Sequence, residues 1–328
     1  MHAVMLTRPG GPEVLERVEL PLPWPGAGEL RVRVRVTGVG STDVTMRRSN
    51  YLYAPKIPFV PGYETVGEVD AVGSGVTGFA VGDRVCALLV HGGYATHVVR
   101  GAEHWVKVPP GLDDGEVCAL ILNHVTAYQA IHRTAKLASG TTALVNSANG
   151  GVGQALLDLL RAHGVTTIGA AASAKHDLVR AYGATPIEGR SAPIDVGVLA
   201  LVPGGVDASF DGVGGEQLRQ SIRATRRGGA VVWYGFMAVR GLGVLRNFFD
   251  IFVGSRLRGR RGSFYGITAL YRKNPAPFHE DLPRLLSLLA AGKIAPRIAL
   301  RLPLDGAREA NERLEAGGVD GKIVLVAT

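Results

Sequence analysis

A glycine-rich turn between a short apolar run and an amphipathic stretch is the feature that most constrains this chain. Residues 142–147 are apolar enough for a buried strand, and Ser147-Ala-Asn-Gly150-Gly151-Val-Gly153 follows directly. Apolar side chains then recur at helical spacing up to Leu160. Glycines at such a junction permit a tight turn and let backbone N–H groups approach a phosphate. The pattern therefore predicts a dinucleotide site, with an ordinary glycine-rich turn as the alternative.

The surrounding sequence predicts two domains in a chain of 328 residues. Strand and helix patterns alternate from about residue 120 to 262, which indicates a parallel, doubly wound sheet. Residues 1–120 are β-rich instead: Glu29–Val36 alternates polar and apolar residues, and glycines and prolines mark short turns. The C-terminal part is mixed and is expected to rejoin the first domain. The predicted division is 1–121 with 264–328 as one domain, and 122–263 as the other.

Composition excludes several classes of protein. Hydrophobic residues make up 46% of the chain and charged residues 20%, so the chain is not a disordered tail. The two cysteines, Cys86 and Cys118, exclude a disulfide scaffold and a four-cysteine zinc knot. We find no apolar run of about 18 residues and no signal peptide at the start. A cytoplasmic protein without a membrane partner is therefore expected.

The net charge of +8 comes from one segment. Ten of the 36 basic residues, but only one of the 28 acidic residues, lie between Arg219 and Arg261. The remainder of the chain is close to neutral, so the net charge does not indicate a nucleic-acid partner for the whole protein. A local anion site or an edge of a subunit interface explains the segment with fewer assumptions, and a solvated arginine face is the alternative.

Residues beyond the glycine turn distinguish NADPH from NADH. An NAD site usually has an acidic residue about 20 positions after the glycines, where it bonds the ribose 2′-OH. Ile168-Gly-Ala-Ala-Ala-Ser173 has no acid, whereas Ser173 and Lys175 can bind a 2′-phosphate and Arg190 can assist. We therefore predict NADPH, with Lys175 as a solvated helix residue in the alternative. The turn residues predicted to contact the cofactor are Asn149, Gly150, Gly151, Val152 and Gly153.

Several motifs in sequence order resemble the medium-chain dehydrogenase/reductase superfamily, and more narrowly its zinc-free quinone oxidoreductase branch. Besides the glycine turn, they are Pro61-Gly-Tyr-Glu64-x-x-Gly67, Gly82-Asp-Arg-Val85, Asn123-His-Val-Thr126-Ala-Tyr128, Phe210-Asp-Gly-Val-Gly214 and Gly321-Lys-Ile-Val324. The resemblance implies an α/β fold with a GroES-like β-rich catalytic domain and a Rossmann domain with a doubly wound parallel sheet. It also implies a homodimer and NADPH-dependent reduction.

The resemblance also implies roles for individual residues. Tyr51 matches an aromatic position that lines the active site, Tyr63 and Tyr53 are its neighbours, and Thr126 matches the threonine beside the nicotinamide. Each tyrosine fits the core or the surface equally well, and His124 reads better as a packed histidine than as a proton donor. Further cofactor contacts are implied at Gly235, Phe236, Phe264, Tyr265 and Lys322, and the last of these equally fits a solvent-facing strand lysine.

Two departures from related proteins bear on the chemistry. Zinc alcohol dehydrogenases have Cys and His where this chain has Gly40 and Tyr63, so no metal is expected. The quinone reductase branch commonly has an Asn-aromatic-x-Asp sequence where this chain has Gly40-Ser-Thr-Asp43. Ser41 and Asp43 are therefore expected, with Tyr51 and Tyr53, to contact substrate in a roomier or differently polar pocket.

Without zinc to polarise a carbonyl, a conjugated acceptor is the easier substrate, because conjugation delocalises the charge left after hydride attack. We therefore expect an NADPH-dependent reductase of a quinone or a conjugated enone. An enoyl thioester on CoA or a carrier protein is an alternative, since the Arg256–Arg261 cluster can attract phosphates or an acidic carrier. An RNA-binding protein on a reductase-like fold is the rival of another class.

Overall fold

The chain forms two units in a computed structural model that describes residues 1–236 and 241–327. Unit 1 comprises Met1–Leu122 and Phe278–Thr328, and unit 2 comprises Asn123–Pro277. The chain thus leaves unit 2 at Pro277 and not at residue 263. The later boundary follows from Tyr265, whose backbone N–H bonds Trp233 and whose hydroxyl donates to Gln129, both in unit 2.

Fifteen strands are found in the described residues. In chain order they are β1 (His2–Leu6), β2 (Leu15–Glu19), β3 (Glu29–Val39), β4 (Glu64–Val72), β5 (Arg84–Leu88), β6 (His97–Gly101), β7 (Val106–Lys107), β8 (Thr142–Asn146), β9 (Thr166–Ala171), β10 (Thr185–Glu188), β11 (Val206–Asp211), β12 (Thr225–Trp233), β13 (Arg261–Phe264), β14 (Ile298–Pro303) and β15 (Lys322–Val326).

The α-helices of the described residues follow the same order. They are α1 (Ser41–Arg47), α2 (Asp114–Ala119), α3 (Val125–Tyr128), α4 (Gly151–Ala162), α5 (His176–Ala181), α6 (Ile194–Leu201), α7 (Gly215–Ala224), α8 (Leu242–Phe249), α9 (Ser255–Leu257), α10 (Ile267–Lys273), α11 (Ala276–Ala290) and α12 (Ala307–Ala316). Wider π-helical turns cover Leu120–His124, Gln129–Ala135 and Asp250–Gly254, so that α8 continues through the last of them into α9.

Unit 1 is built on a seven-stranded sheet that joins the two ends of the chain. Its strands lie in the order β14-β15-β3-β4-β5-β7, and β6 also pairs with β3. The C-terminal strand β15 runs antiparallel to β3, with Ile323 opposite Val39. Alternate residues of β3, including Leu30, Val32 and Val34, are buried in the core of this sheet, as their period-two spacing predicts.

Unit 2 has a six-stranded, wholly parallel sheet in the order β10-β9-β8-β11-β12-β13. Numbered within the unit, this is the order 3-2-1-4-5-6 of a dinucleotide-binding sheet, which reverses direction between β8 and β11. Ligands bind such sheets outside the carboxyl ends of the strands at this reversal. The glycine turn follows β8 and therefore lies at the expected place.

Within the described residues, no helix is both long enough and apolar enough to cross a lipid bilayer. The helix from Leu242 to Leu257 is instead exposed along part of its apolar surface, and six of its large apolar side chains face solvent. They are Leu242, Leu245, Phe249, Phe252, Val253 and Leu257.

Both cysteines are buried free thiols of unit 1, and burial raises the pKa of Cys86 to about 12 and that of Cys118 well above its usual range. Because the thiolate is the reactive form, neither thiol should react with Ellman's reagent at pH 8 in the folded protein. Two thiols should be titrated in 6 M guanidinium, which is the control. Rapid labelling of the native protein would contradict this arrangement.

Candidate active site

Two glycines of the glycine turn in unit 2 lie where a side chain would not fit. A Cβ atom on Gly153 would lie 2.1 Å from the carbonyl oxygen of Ser147, and one on Gly151 would lie 2.8 Å from Nδ2 of Asn123. Gly150 is extended and caps the 12-residue helix α4. The first backbone N–H groups of α4 point toward the turn, and two of the first three residues of the helix carry no side chain, which suits a pyrophosphate.

A buried carboxylate at the end of β11 fixes the point where the sheet order reverses. Asp211 accepts hydrogen bonds from Nδ2 of Asn146 at 2.7 Å and from the hydroxyl of Ser221 at 2.8 Å. Its other oxygen accepts from the backbone N–H groups of Val213 and Gly214 at 3.0 and 2.7 Å. Asp211 thus ties the ends of β8 and β11 together, a role that the motif containing it gave no reason to predict.

Thr126 carries an unsatisfied polar atom in unit 2. Its side chain is buried on α3, and no described residue bonds its Oγ1 atom. A buried hydroxyl without a partner is costly, so an absent ligand group is a natural partner for it. Together with the glycine cradle, this orphaned atom means that the residues present fit a nicotinamide dinucleotide.

The other predicted nicotinamide contacts form an aromatic group around Trp233. The ring of Phe236 lies 4.6 Å from that of Trp233 and 5.4 Å from that of Phe264. Tyr265 is buried, and its hydroxyl donates to Gln129 at 2.8 Å. Gly235 accepts the indole N–H of Trp233 through its carbonyl. These contacts bring Gly235, Phe236 and Phe264 together, whereas the hydroxyl of Tyr265 already has a protein partner.

A carboxylate that sequence reasoning missed occupies the predicted 2′-phosphate site. Glu188, the last residue of β10, accepts hydrogen bonds from the hydroxyl and the backbone N–H of Ser173. It also accepts from the N–H groups of Arg190 and Ser191 at 2.7 and 3.2 Å. The Ser173 hydroxyl and these backbone N–H groups lower the pKa of Glu188 to about 2, so the carboxyl is ionised. Glu188 was missed because an acidic residue was expected at the end of β9, whereas Glu188 ends the following strand, β10.

Lys175 and Arg190 are the two basic residues predicted for this site. Lys175 closes the short turn Ser173–Lys175 before α5, and Arg190 is exposed two residues after Glu188. The predicted 2′-phosphate site therefore combines two cations with one anion. The geometry fits a dinucleotide better than it fits the extra phosphate specifically.

Asp43 in unit 1 joins the two loops in which this chain departs from zinc enzymes. Its Oδ2 accepts from the N–H of Gly40 at 2.9 Å, and its Oδ1 accepts from the N–H of Gly62 at 3.2 Å. The carboxyl is buried, and desolvation, followed by the charge of Glu64, raises its pKa to about 7. These contacts give Asp43 a positioning role. Its substrate contact stays a prediction, as does that of Ser41, which lies exposed at the start of α1.

Lys322 forms a buried ion pair with Glu64 beneath these loops. The side chains are 4% and 1% exposed, and the ammonium group contacts Oε1 of the carboxylate. A Cβ on Gly38 would lie 2.0 Å from that oxygen, so the close approach requires glycine at this position of β3. The structure thus gives Lys322 a partner inside unit 1, while the predicted contact with cofactor phosphates stays a prediction.

Three tyrosines of unit 1 meet next to this pair. The hydroxyls of Tyr51 and Tyr63 are 2.7 Å apart, and the ring of Tyr53 packs against that of Tyr51 at 5.8 Å. Tyr63 is 1% exposed, and its burial, followed by the neighbouring Tyr51, raises its pKa well above the usual range. Tyr51 is half-buried. The structure therefore brings together all three tyrosines that the sequence singled out.

The residues at the position of the zinc ligands do not fit a zinc ion. A side chain at Gly40 would begin 3.7 Å from the ammonium nitrogen of Lys322, so a buried cation adjoins the place of the missing cysteine. The hydroxyl of Tyr63 is bonded to Tyr51, and both oxygens of Asp43 accept backbone N–H groups. Among the described residues, no group of three or more His, Cys, Asp or Glu side chains is arranged to hold a metal.

Comparisons with known proteins agree with this architecture. The family described as alcohol dehydrogenase GroES-like domain matches residues 26–115, and the family described as zinc-binding dehydrogenase matches residues 177–325. A human protein named synaptic vesicle membrane protein VAT-1 homolog-like is 30% identical over 99% of this chain and 80% of its own. Quinone oxidoreductase of Rattus norvegicus is 28% identical over 99% of this chain and 98% of its own.

Solved structures match over the whole chain. A probable oxidoreductase from Mycobacterium abscessus is 30% identical, with a TM-score of 0.85 over 99% of this chain and 98% of that one. A mycobacterial protein solved in complex with NADPH is 28% identical, with a TM-score of 0.84 over 99% of both chains.

The parallel sheet, the glycine cradle and these matches define an oxidoreductase that uses a nicotinamide cofactor. The chain belongs to the medium-chain dehydrogenase/reductase superfamily, in its quinone oxidoreductase branch. The fold class predicted from the sequence, a GroES-like domain with a Rossmann domain, is thereby confirmed.

The buried ion pair generates a stability prediction. Lys322→Met leaves the Glu64 charge buried without its partner and should lower the free energy of unfolding of unit 1 by about 3–5 kcal/mol, measured by urea denaturation. The double variant Glu64→Gln with Lys322→Met should recover much of the loss. Arg308→Met, which breaks the exposed pair with Glu312 on α12, is the control and should cost less than about 1 kcal/mol. Equal losses in the two single variants would contradict a dominant buried pair.

Proposed function

We propose that this protein reduces a quinone or a conjugated enone with NADPH and without zinc. The observation that carries the proposal is the pair of tyrosine hydroxyls, Tyr51 and Tyr63, in contact at the position where zinc enzymes of the superfamily have a metal ligand. A hydroxyl group donates a hydrogen bond to the substrate oxygen but polarises a carbonyl less than a metal ion does. It therefore suits a substrate in which conjugation delocalises the charge left after hydride attack. The quinone oxidoreductase relatives support the same substrate class.

Tyr51 is the proposed proton donor. The buried Tyr63 keeps its proton, because its pKa lies well above the usual range, and in this proposal it donates to the oxygen of Tyr51, 2.7 Å away. Tyr51 in turn donates its O–H to the oxygen of the substrate, which becomes an enol or a hydroquinone. When bound, the nicotinamide supplies the hydride. Tyr51 regains its proton from water, so that one hydride and one proton are added in each turnover.

Residues of unit 2 hold the cofactor in this proposal. The N–H groups at the start of α4 bind the pyrophosphate, and the orphaned hydroxyl of Thr126 bonds the carboxamide of the nicotinamide. Ser173, Lys175 and Arg190 receive the 2′-phosphate, and the NADPH-bound mycobacterial relative supports this choice. The homodimer implied by the family stays a prediction.

The enoyl-thioester alternative loses the argument that favoured it. The Arg256–Arg261 cluster was predicted to attract phosphate groups or an acidic carrier, and Arg261 begins β13 whereas Phe264 ends it. Because cofactors bind at the carboxyl ends of these strands, the cluster lies at the opposite edge of the sheet. An NADPH-oxidation screen over quinones, simple enones and enoyl-CoA esters tests the proposal. Turnover of quinones or enones supports it, while turnover restricted to simple aldehydes, or lost on chelation and restored by zinc, contradicts it.

Removal of the proposed donor should slow the chemical step. Tyr51→Phe keeps the ring and its packing on Tyr53 but removes the hydroxyl, so kcat should fall about 100-fold while the Kd for NADPH stays unchanged. Steady-state kinetics and fluorescence titration measure the two quantities. Tyr271→Phe, on α10 and outside the predicted site residues, is the control, with kcat within about twofold of the wild type. An unchanged kcat in Tyr51→Phe would exclude Tyr51 as the donor.

Glu188 should restrain the preference for NADPH. Glu188→Gln removes a negative charge beside the 2′-phosphate and weakens its hold on the Ser173 hydroxyl, so the ratio of kcat/KM for NADPH to that for NADH should rise about tenfold, a change of about 1.4 kcal/mol. Asp177→Asn, a carboxylate that is 98% exposed on the neighbouring helix α5, is the control and should leave the ratio unchanged. A parallel change for both cofactors would show that Glu188 only shapes the loop.

A further inference from the structure

The loop that follows β10 is fixed to the parallel sheet of unit 2 at a buried residue, Gly189. Its backbone N–H donates to the carbonyl of Ala171, the last residue of β9, at 2.9 Å. A Cβ atom on Gly189 would lie 2.8 Å from the backbone nitrogen of Ala171, so this close approach requires glycine. The neighbours of Gly189 in the chain are Glu188 and Arg190, both at the predicted 2′-phosphate site. The position of Gly189 therefore determines where these two side chains begin.

A side chain of helix α7 also holds Gly189. Nε2 of Gln217, in the first turn of α7, donates to the carbonyl of Gly189 at 2.8 Å. Oε1 of the same side chain accepts from Nδ2 of Asn146, the last residue of β8, at 3.1 Å. Gln217 thus joins the loop after β10 to the end of β8, which is the strand that leads into the glycine turn.

The partner of Gln217 on β8 is itself fixed in place. Asn146 is 1% exposed, and its Nδ2 also donates to the buried carboxylate of Asp211 at 2.7 Å. Both hydrogens of this amide nitrogen therefore have an acceptor, one on Asp211 and one on Gln217. Because Asn146 presents a donor, Gln217 must turn its oxygen toward Asn146 and its NH₂ group toward the carbonyl of Gly189. The orientation of the Gln217 amide is thus determined by the Asp211 clamp.

Two kinds of hydrogen bond act on the loop after β10. The backbone N–H groups of Arg190 and Ser191 donate to Oε1 of Glu188 at 2.7 and 3.2 Å. These bonds lie within the loop and maintain its shape, but they do not determine its position on the sheet. The bonds of Gly189 to the end of β9 and to Gln217 do determine that position, because their other partners belong to β9 and α7.

We propose that Gln217 is a positioning residue for the cofactor, which fixes the loop of residues 188–191 where it receives the 2′-phosphate of NADPH. The inference rests on the proposed use of NADPH and assigns part of that preference to a side chain that acts through the loop. Without the bond from Gln217, the carbonyl of Gly189 is released, and Arg190 is no longer held in one place relative to Ser173. The pyrophosphate is bound at the start of α4 in the same proposal, so the loss is confined to the 2′-phosphate.

Two nucleotides that differ only in the 2′-phosphate, 2′,5′-ADP and 5′-AMP, test the proposal by calorimetric titration. Gln217→Met keeps the length of the side chain and removes both of its hydrogen bonds. The Kd for 2′,5′-ADP should rise about fivefold, the factor that one such hydrogen bond contributes, while that for 5′-AMP should change less than about twofold. General destabilisation of unit 2 would not separate the two nucleotides. In the reductase assay, KM for NADPH should rise and kcat at saturating NADPH should stay unchanged.

Gln220→Met is the matched control on the same helix. Oε1 of Gln220 accepts from the backbone N–H of Ile194 at the start of α6, at 3.0 Å, so this variant also removes an amide and a hydrogen bond. It should leave the ratio of the two Kd values unchanged. An unchanged ratio in Gln217→Met, or an equal change in Gln220→Met, would overturn the inference and leave the proposed use of NADPH standing. Equal binding of the two nucleotides by the wild type would instead overturn the assignment of NADPH, and the inference with it.

Discussion

The buried ion pair between Glu64 and Lys322 is the constraint on which unit 1 depends. It joins the first residue of β4 to the first residue of β15, two strands that are 258 positions apart and that flank β3. Each charge is too deeply buried to exist without the other, so the unit closes only when the C-terminal strand pairs with β3. The same pair dictates Gly38, because any side chain there would overlap the carboxylate.

The ion pair also determines what chemistry its surroundings allow. The ammonium group of Lys322 lies beside Gly40. The charge of Glu64 contributes to the raised pKa of Asp43 and to that of Tyr63. These groups favour protonated oxygen atoms next to a buried ammonium group. The hydroxyl donor and the conjugated acceptor that we propose are compatible with that electrostatic environment, because neither requires a Lewis acid.

The sequence predicts the structure correctly where a short-range pattern of residues determines it. The period-two alternation of β3, the glycine turn before α4 and the order of motifs predict the two sheets and the family, because each is fixed by short-range geometry. Glu188 and the Asp211 clamp were missed, since hydrogen bonds to a strand end depend on which strands are neighbours. The sequence predicts that the chain re-enters the first domain at residue 264, whereas unit 2 extends to Pro277. The reason is the same, because Tyr265 donates to Gln129, which is 136 positions away.

The two edges of the parallel sheet of unit 2 differ in the groups that they present to an anion. At the carboxyl edge, backbone N–H groups and a helix N-terminus bind phosphate with little net charge, so a carboxylate such as Glu188 is tolerated there. The amino edge presents strand starts without such donors. The positive charge at this edge comes from arginine side chains, which donate to backbone carbonyls of Thr225 and Gly228.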